Sequence, residues 1–417
     1  MKIVLKSATI IDPSSAHHGK KRDILIENGK ISKIGSRLKA EKAKEVALPD
    51  LHVSQGWFDS GISVGEPGFE ERETLENALK TAAYSGFSHV AINPNSFPVS
   101  DSKSHLKFLS SRAGNHAVSV YPIGALTVGS KGEDLAELFD MQQEGAVAFY
   151  DYKKPLDNAN LLKIALQYAQ NFDGLVLSFP MNRAIAGKGL VNEEKNSTLL
   201  GLKGIPALSE ELQIARDLSI LEYTGGKLHI PTISTKKSVA LIKEAKKNGL
   251  DVSCSVSINN LMLTDEVLQT FDSRYKLLPP LRTLEDTKAL IKGLKDGTID
   301  GVTSDHDPMD IEHKKIEFEN ASFGSIGLES CYGALQKLVG TELAVTALTR
   351  LKDRFGVSEA SIEEGKLTSL SLFNPNINYE FNAEAILSTS KNAALLGTKL
   401  QGKAYGIIAN KKITLHE

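Results

Sequence analysis

Residues 227–257 read KLHIPTISTKKSVALIKEAKKNGLDVSCSVS. Two short apolar runs, KLHIPTIS and DVSCSVS, flank a segment, SVALIKEAKKNG, whose apolar residues recur at the period of a helix. A strand, a helix and a second strand in this order form the unit from which parallel sheets are built. The alternation extends in both directions. GWFDSGI, GFSHVAIN, VSVYPIGA, GAVAFYD and GLVLSFP precede it, and IDGVTSD follows. NLLKIALQYAQNF has helical period, and Thr283 and Asp286 have capping-box spacing ahead of TKALIKGL. Eight strand candidates alternating with helices predict a parallel (β/α)₈ barrel of the TIM type. The rival is an open doubly wound sheet, but no GxGxxG follows an early strand.

The two ends have a different texture. KIVLKSATIID and DILIENGKISKIG are short β-branched segments interrupted by Asn28-Gly29, a strong hairpin signal. YGIIANKKITL near the other end shows two short strands around an Asn-Lys turn. Neither end carries much apolar material of its own, so a small β domain, a β-sandwich assembled from both termini, is expected. The expected division is 1–54 and 371–417 for that domain and 55–370 for the barrel.

Composition narrows the function classes. The chain has 417 residues, 41% hydrophobic and 24% charged, with a formal net charge of −2. That balance supplies no general electrostatic drive toward nucleic acid or an anionic membrane. No apolar run approaches the ~20 residues of a membrane span, and MKIVLKSATIID lacks the apolar centre of a signal peptide. A cytoplasmic location is expected, with Cys254 and Cys331 as free buried thiols.

A barrel of this kind places its site at the C-terminal strand ends. Asp59, Asn95, Asp151, Ser178, Thr232, Asn259 and Asp305 fall there. Asp151 and Asp305 could serve a metal or move protons. Of ten histidines, only His306 and His229 lie near a strand end, and HxH, HExxH and CxxC do not occur. A catalytic zinc usually needs three protein ligands including histidine, so these residues alone do not indicate a zinc enzyme. Ser304-Asp305-His306 holds triad residue types, but strand neighbours point to opposite faces. GxSxG and a P-loop are missing. His229 reads as a satisfied core histidine, the pairs His17-His18 and Asn259-Asn260 as surface or loop residues, and KKSVALIKEAKK as a solvated helix face.

The order of several segments resembles the dihydroorotases, amidohydrolase-type barrels of pyrimidine biosynthesis, particularly the longer form that associates with aspartate transcarbamoylase. The resemblance runs through KSATIIDPSS, GWFDSGISVGEPGFEERET, NPNSFPVSD, GAVAFYD, LEYTGGKLHIPTIST, KLLPPLR, DGTIDGVTSDHDPM, FGSIGLES and STSKNAALLGTKLQGKAYGIIANKK. It implies an Asp-x-His-x-His pattern with an arginine two residues on. Here Asp59 is kept, Gly61 and Ser63 replace the two histidines, and Gly65 replaces the arginine. It also implies histidines where Ser178 and Thr232 stand, and an asparagine where Leu278 precedes Pro-Pro-Leu-Arg. Asn95 matches the substrate-holding asparagine, Asp151 the bridging carboxylate, and Asp305 the metal ligand and proton carrier. In Asp305-His306-Asp307-Pro308-Met309, the final histidine has become Met309; His306 matches a supporting position.

All four implied histidine ligands are therefore replaced. The family's zinc site is degraded, and no cofactor is expected. Without metal, water loses its activation and the amide carbonyl its Lewis acid, and without the arginine a substrate carboxylate loses its clamp. Asp151 and Asp305 then read either as weak metal candidates, Asp305 a relict catalytic base, or as structural acids, with the structural reading favoured. Three functions follow from the resemblance. The first is a non-catalytic homologue, a structural partner of aspartate transcarbamoylase and itself an expected homo-oligomer. The second is an active cyclic-amide hydrolase interconverting carbamoyl-aspartate and dihydroorotate through an atypical metal site. The third is a small-ligand binding protein whose old pocket, lined by Asn95, Gly61, Ser63 and Gly65, would be roomy and neutral.

Overall fold

The computed structural model describes residues 1–39, 41–367 and 369–416. Among them, eight parallel strands follow one another in a single sheet: Trp57–Ile62, Phe87–Ile92, Ser119–Gly124, Ala148–Phe149, Leu175–Leu177, Lys227–Ile230, Val252–Ser257 and Gly301–Thr303. Each lies within one of the eight apolar runs. The eighth strand lies beside the first. There Thr303 Oγ1 and the Ser304 N–H donate to the Asp59 carboxylate at 2.6 and 2.9 Å. A carboxylate wholly removed from water thus links the two end strands of the barrel. Val252–Ser257 is buried along its whole length, as expected where side chains fill one face of a sheet and helices cover the other.

The capping box expected at Thr283 and Asp286 does open a helix. Leu284–Lys295 begins with a capping box between Thr283 and Asp286. Lys236–Lys247 is capped by Thr235, whose hydroxyl accepts from the Ser238 N–H. This helix buries Ser238, Val239, Ile242 and Ala245 against the barrel and leaves most of its lysines toward solvent.

The termini meet in one mixed sheet of eight described strands. The chain start supplies Lys2–Ile10, Lys21–Glu27, Lys30–Gly35, Lys44–Val46 and His52–Gln55; the chain end supplies Leu370–Glu380, Lys399–Ala409 and Lys412–Leu415. His52–Gln55 pairs antiparallel with Leu370–Glu380 and so joins the two halves. Asn28 and Gly29, and likewise Asn410 and Lys411, have positive φ between paired strands, the conformation that a two-residue hairpin turn demands. This sheet has its own core of Ile3, Leu5, Ile10, Ile24, Val53 and Leu372 among others. Trp57 fastens it to the barrel. Its ring is fully buried and packs against Phe87, Tyr332 and Phe373, and its Nε1 donates to Ser54 Oγ. Cys254 and Cys331 are free and buried. Among the described residues, no helix is long and apolar enough to cross a membrane.

Candidate functional site

Asp59, Asp151 and Asp305 all reach the C-terminal end of the barrel, but each is committed to a different partner. Asp59 holds the barrel seam. Asp151 accepts the N–H groups of Leu126 and Thr127, both at 3.0 Å, and the Thr127 hydroxyl. Burial raises its carboxyl above the ordinary value, against the lowering effect of these donors. Its oxygens therefore anchor the loop that follows the third strand.

Asp305 faces a cation that belongs to the chain. Lys153 Nζ lies 3.0 Å from Asp305 Oδ1 and 3.5 Å from Asp307 Oδ2. Burial is the main influence on Asp305 and pushes its carboxyl up to about 6, the Lys153 ammonium opposing it. For Lys153 burial acts downward, but the two carboxylates outweigh it and hold the ammonium above its usual value. Sequence reading missed Lys153 and Tyr152, although both stand in YDYKKP, immediately beyond a strand end. That position, coupled with a basic residue two places after Asp151, was the available signal.

The positions where the resemblance implies histidine are engaged by the surrounding structure. Ser178 donates to the buried Asp217 at 2.6 Å. Ser63 accepts from Asn95 Nδ2 at 3.1 Å. A Cβ on Gly61 would lie 3.2 Å from Asn93 Oδ1, and one on Gly65 would lie 1.8 Å from the Phe69 carbonyl oxygen. The loop has thus closed over the place where the resemblance implies an arginine. Thr232 has positive φ, and its Oγ1 is buried without a protein partner. The Met309 N–H donates to Asn392 Oδ1, and Leu278 packs beside the cluster containing Tyr150 and Leu177. His229 is satisfied, its ring nitrogens 2.8 and 3.1 Å from Ser253 and Ser255 Oγ. His306 is wholly buried and accepts the Gly327 N–H through Nδ1.

Two expectations need correction. Asn259 and Asn260 are not surface or loop residues: both are buried in the short helix Ile258–Met262, where Asn260 donates to the Pro280 carbonyl. The packing of that helix against the barrel end draws them inside. The old pocket is also neither roomy nor neutral. The void bordered by Gly61, Asn93, Tyr152, Lys153, Thr232 and Asp305 measures about 20 Å³, room for about one water. Tyr152 and Lys153 border this void together with Gly61, and Asn93 takes the space beside Gly61 itself. Asn95, the expected substrate contact, is not among the residues bordering that void.

A zinc centre does not fit these residues. The donors that imidazole would supply are replaced by glycine, which offers none, and by hydroxyls, which are poor zinc ligands at neutral pH. Asp59, Asp151 and Asp305 already have protein partners. Among the described residues, no three His, Cys, Asp or Glu side chains come together as a metal-holding group.

The architecture, a parallel eight-stranded barrel with a mixed sheet drawn from both termini, is a hydantoinase-like fold. An L-hydantoinase (dihydropyrimidinase) from Arthrobacter aurescens superposes with a TM-score of 0.86 at 20% identity, over 100% of this chain and 97% of that one. At that identity the likeness concerns the fold. Sequence comparison is narrower. A dihydro-orotase-like family model matches residues 53–238. A dihydroorotase from Pelotomaculum thermopropionicum is 37% identical over 428 residues, covering 100% of this chain and 99% of the relative. One from Acetivibrio thermocellus is 35% identical over 423 residues, with the same coverage of both chains. The chain belongs to the dihydroorotase-like amidohydrolase family.

Proposed function

We propose that this chain is a non-catalytic dihydroorotase homologue that serves as a structural subunit, with aspartate transcarbamoylase as its partner in pyrimidine biosynthesis. One observation carries the reading. Gly61, Ser63, Ser178 and Thr232 stand where the four metal histidines are implied, while Asp151 and Asp305 are engaged by the Thr127 loop and by Lys153. The imidazoles that would hold a metal there, to activate water and polarise an amide carbonyl, are not present. The framework that would carry a partner surface, barrel and terminal sheet together, is complete. The partner itself rests on the resemblance to the longer, transcarbamoylase-associated form.

A second reading, an active cyclic-amide hydrolase, draws support from full-length relatives named dihydroorotase and from Asp305, whose carboxyl is pushed up to about 6. One experiment separates the two. The purified chain is assayed in both directions with added zinc, manganese and cobalt, and then passed with aspartate transcarbamoylase over a sizing column at micromolar concentration. No turnover together with co-elution is the expected result. Turnover above background would replace the first reading with the second, and separate elution would remove this partner.

A further inference from the structure

We propose that Lys153 is this chain's own substitute for a metal cation, and that its ammonium and the Tyr152 side chain keep the barrel mouth closed to metals and to substrate-sized ligands. The inference deepens the non-catalytic reading of this pocket and does not depend on which partner the chain binds.

The geometry is that of a buried ion cluster. The Lys153 side chain is 9% exposed, and those of Asp305 and Asp307 are 10% and 5% exposed. Two carboxylates held this far from water need a counter-charge. Among the described residues, Lys153 is the cation within ion-pair distance of both. The backbone is bent to deliver it. Lys153 and Asp305 both have positive φ, 52° and 49°, a conformation that non-glycine residues seldom adopt and that persists where surrounding interactions over-determine it. The Lys153 N–H donates to Tyr150 Oη at 3.1 Å, and its ammonium lies 5.2 Å from the Tyr152 ring centroid. An ammonium neutralises carboxylates but offers no open coordination position for water or a carbonyl oxygen, so the charge is replaced and the chemistry is not.

Space gives the same answer. Asn93 Nδ2, Tyr152 Oη and Thr232 Oγ1 are buried without protein partners and belong to residues bordering the void of about 20 Å³. A single water could serve them. Ligand sites for small molecules typically occupy roughly 300 Å³ or more.

The test combines the unmodified chain with a double-mutant cycle. The unmodified chain is expected to carry less than about 0.1 zinc per chain by elemental analysis. Its melting temperature should not move with dihydroorotate or carbamoyl-aspartate in excess. Lys153→Met should lower the melting temperature by about 4 °C, as expected when a buried charge loses its partner. Adding Asp305→Asn to that variant should recover at least half of the loss. If Lys153→Met does not fold, a folded double variant supports the proposal and an unfolded one overturns it. A chain holding one zinc or more, or a ligand-induced rise of about 2 °C or more, overturns this proposal together with the non-catalytic reading. Additive effects of the two substitutions, without zinc or ligand uptake, overturn the role of Lys153 alone.

Discussion

Replacing Lys314 with methionine should change how stability depends on pH. Lys314 is 4% exposed, and its Nζ donates to the carbonyls of Lys276 and Ser322 at 3.0 and 2.9 Å. It thereby ties the segment after the eighth strand to the one around Lys276. Burial pulls its ammonium down to about 7, with Asp307 and Asp272 opposing and Lys276 and Lys153 adding to the drop. Below about pH 7 the amine is charged in both states, and the fold bears the whole burial penalty. Between about 7 and the ordinary lysine value of 10.5, the unfolded chain binds the extra proton, so stability rises with pH across that window. Neutral amine keeps two N–H donors, enough for both carbonyls. At about 1.4 kcal/mol per pH unit, the contribution between about pH 7 and about pH 9 is on the order of 2–3 kcal/mol. Urea unfolding of the native chain and Lys314→Met at those two pH values measures it. The stability difference between the two proteins should widen in favour of the native chain by about that amount at the higher pH. Parallel profiles, agreeing within about 0.5 kcal/mol, would refute the argument.

Three further outcomes follow from particular contacts. Thr303→Val removes the 2.6 Å bond to Asp59 at the barrel seam and leaves a buried carboxylate short of a donor; a loss of about 1–3 kcal/mol in urea unfolding is expected. Gly65→Arg should restore no substrate binding and should fail to accumulate as folded protein, because a Cβ there meets the Phe69 carbonyl oxygen; a soluble variant with native circular dichroism would contradict this. Burial raises the Cys254 and Cys331 thiols well above their ordinary value, so a thiol reagent should label neither until denaturant is added.

Much of the architecture was legible locally. Strand and helix alternation, the Thr283 capping box and the Asn28-Gly29 and Asn410-Lys411 turns each depend on neighbouring residues, so short-range pattern and turn chemistry carry them. The family was legible too, because many ordered segments agree over the whole length. The state of the site was legible only in part. That Gly61, Ser63, Ser178 and Thr232 stand where the resemblance implies histidine can be read directly, since residue identity does not depend on the fold. What the remaining acids do could not be read that way. Asp59 meets Thr303, Asp151 meets Thr127, and Asp305 meets Lys153, in each case a partner many residues distant along the chain. Small residues at the strand ends suggested an open pocket, yet only a void of about 20 Å³ remains beside Tyr152 and Lys153, and Asn259 and Asn260 turn inward beyond the seventh strand. Sequence by itself determined which elements form, the family, and which residue types stand at the strand ends. Tertiary structure alone decided which charges pair and how much space is left, because ion pairing and packing depend on distances between residues that the chain order does not specify.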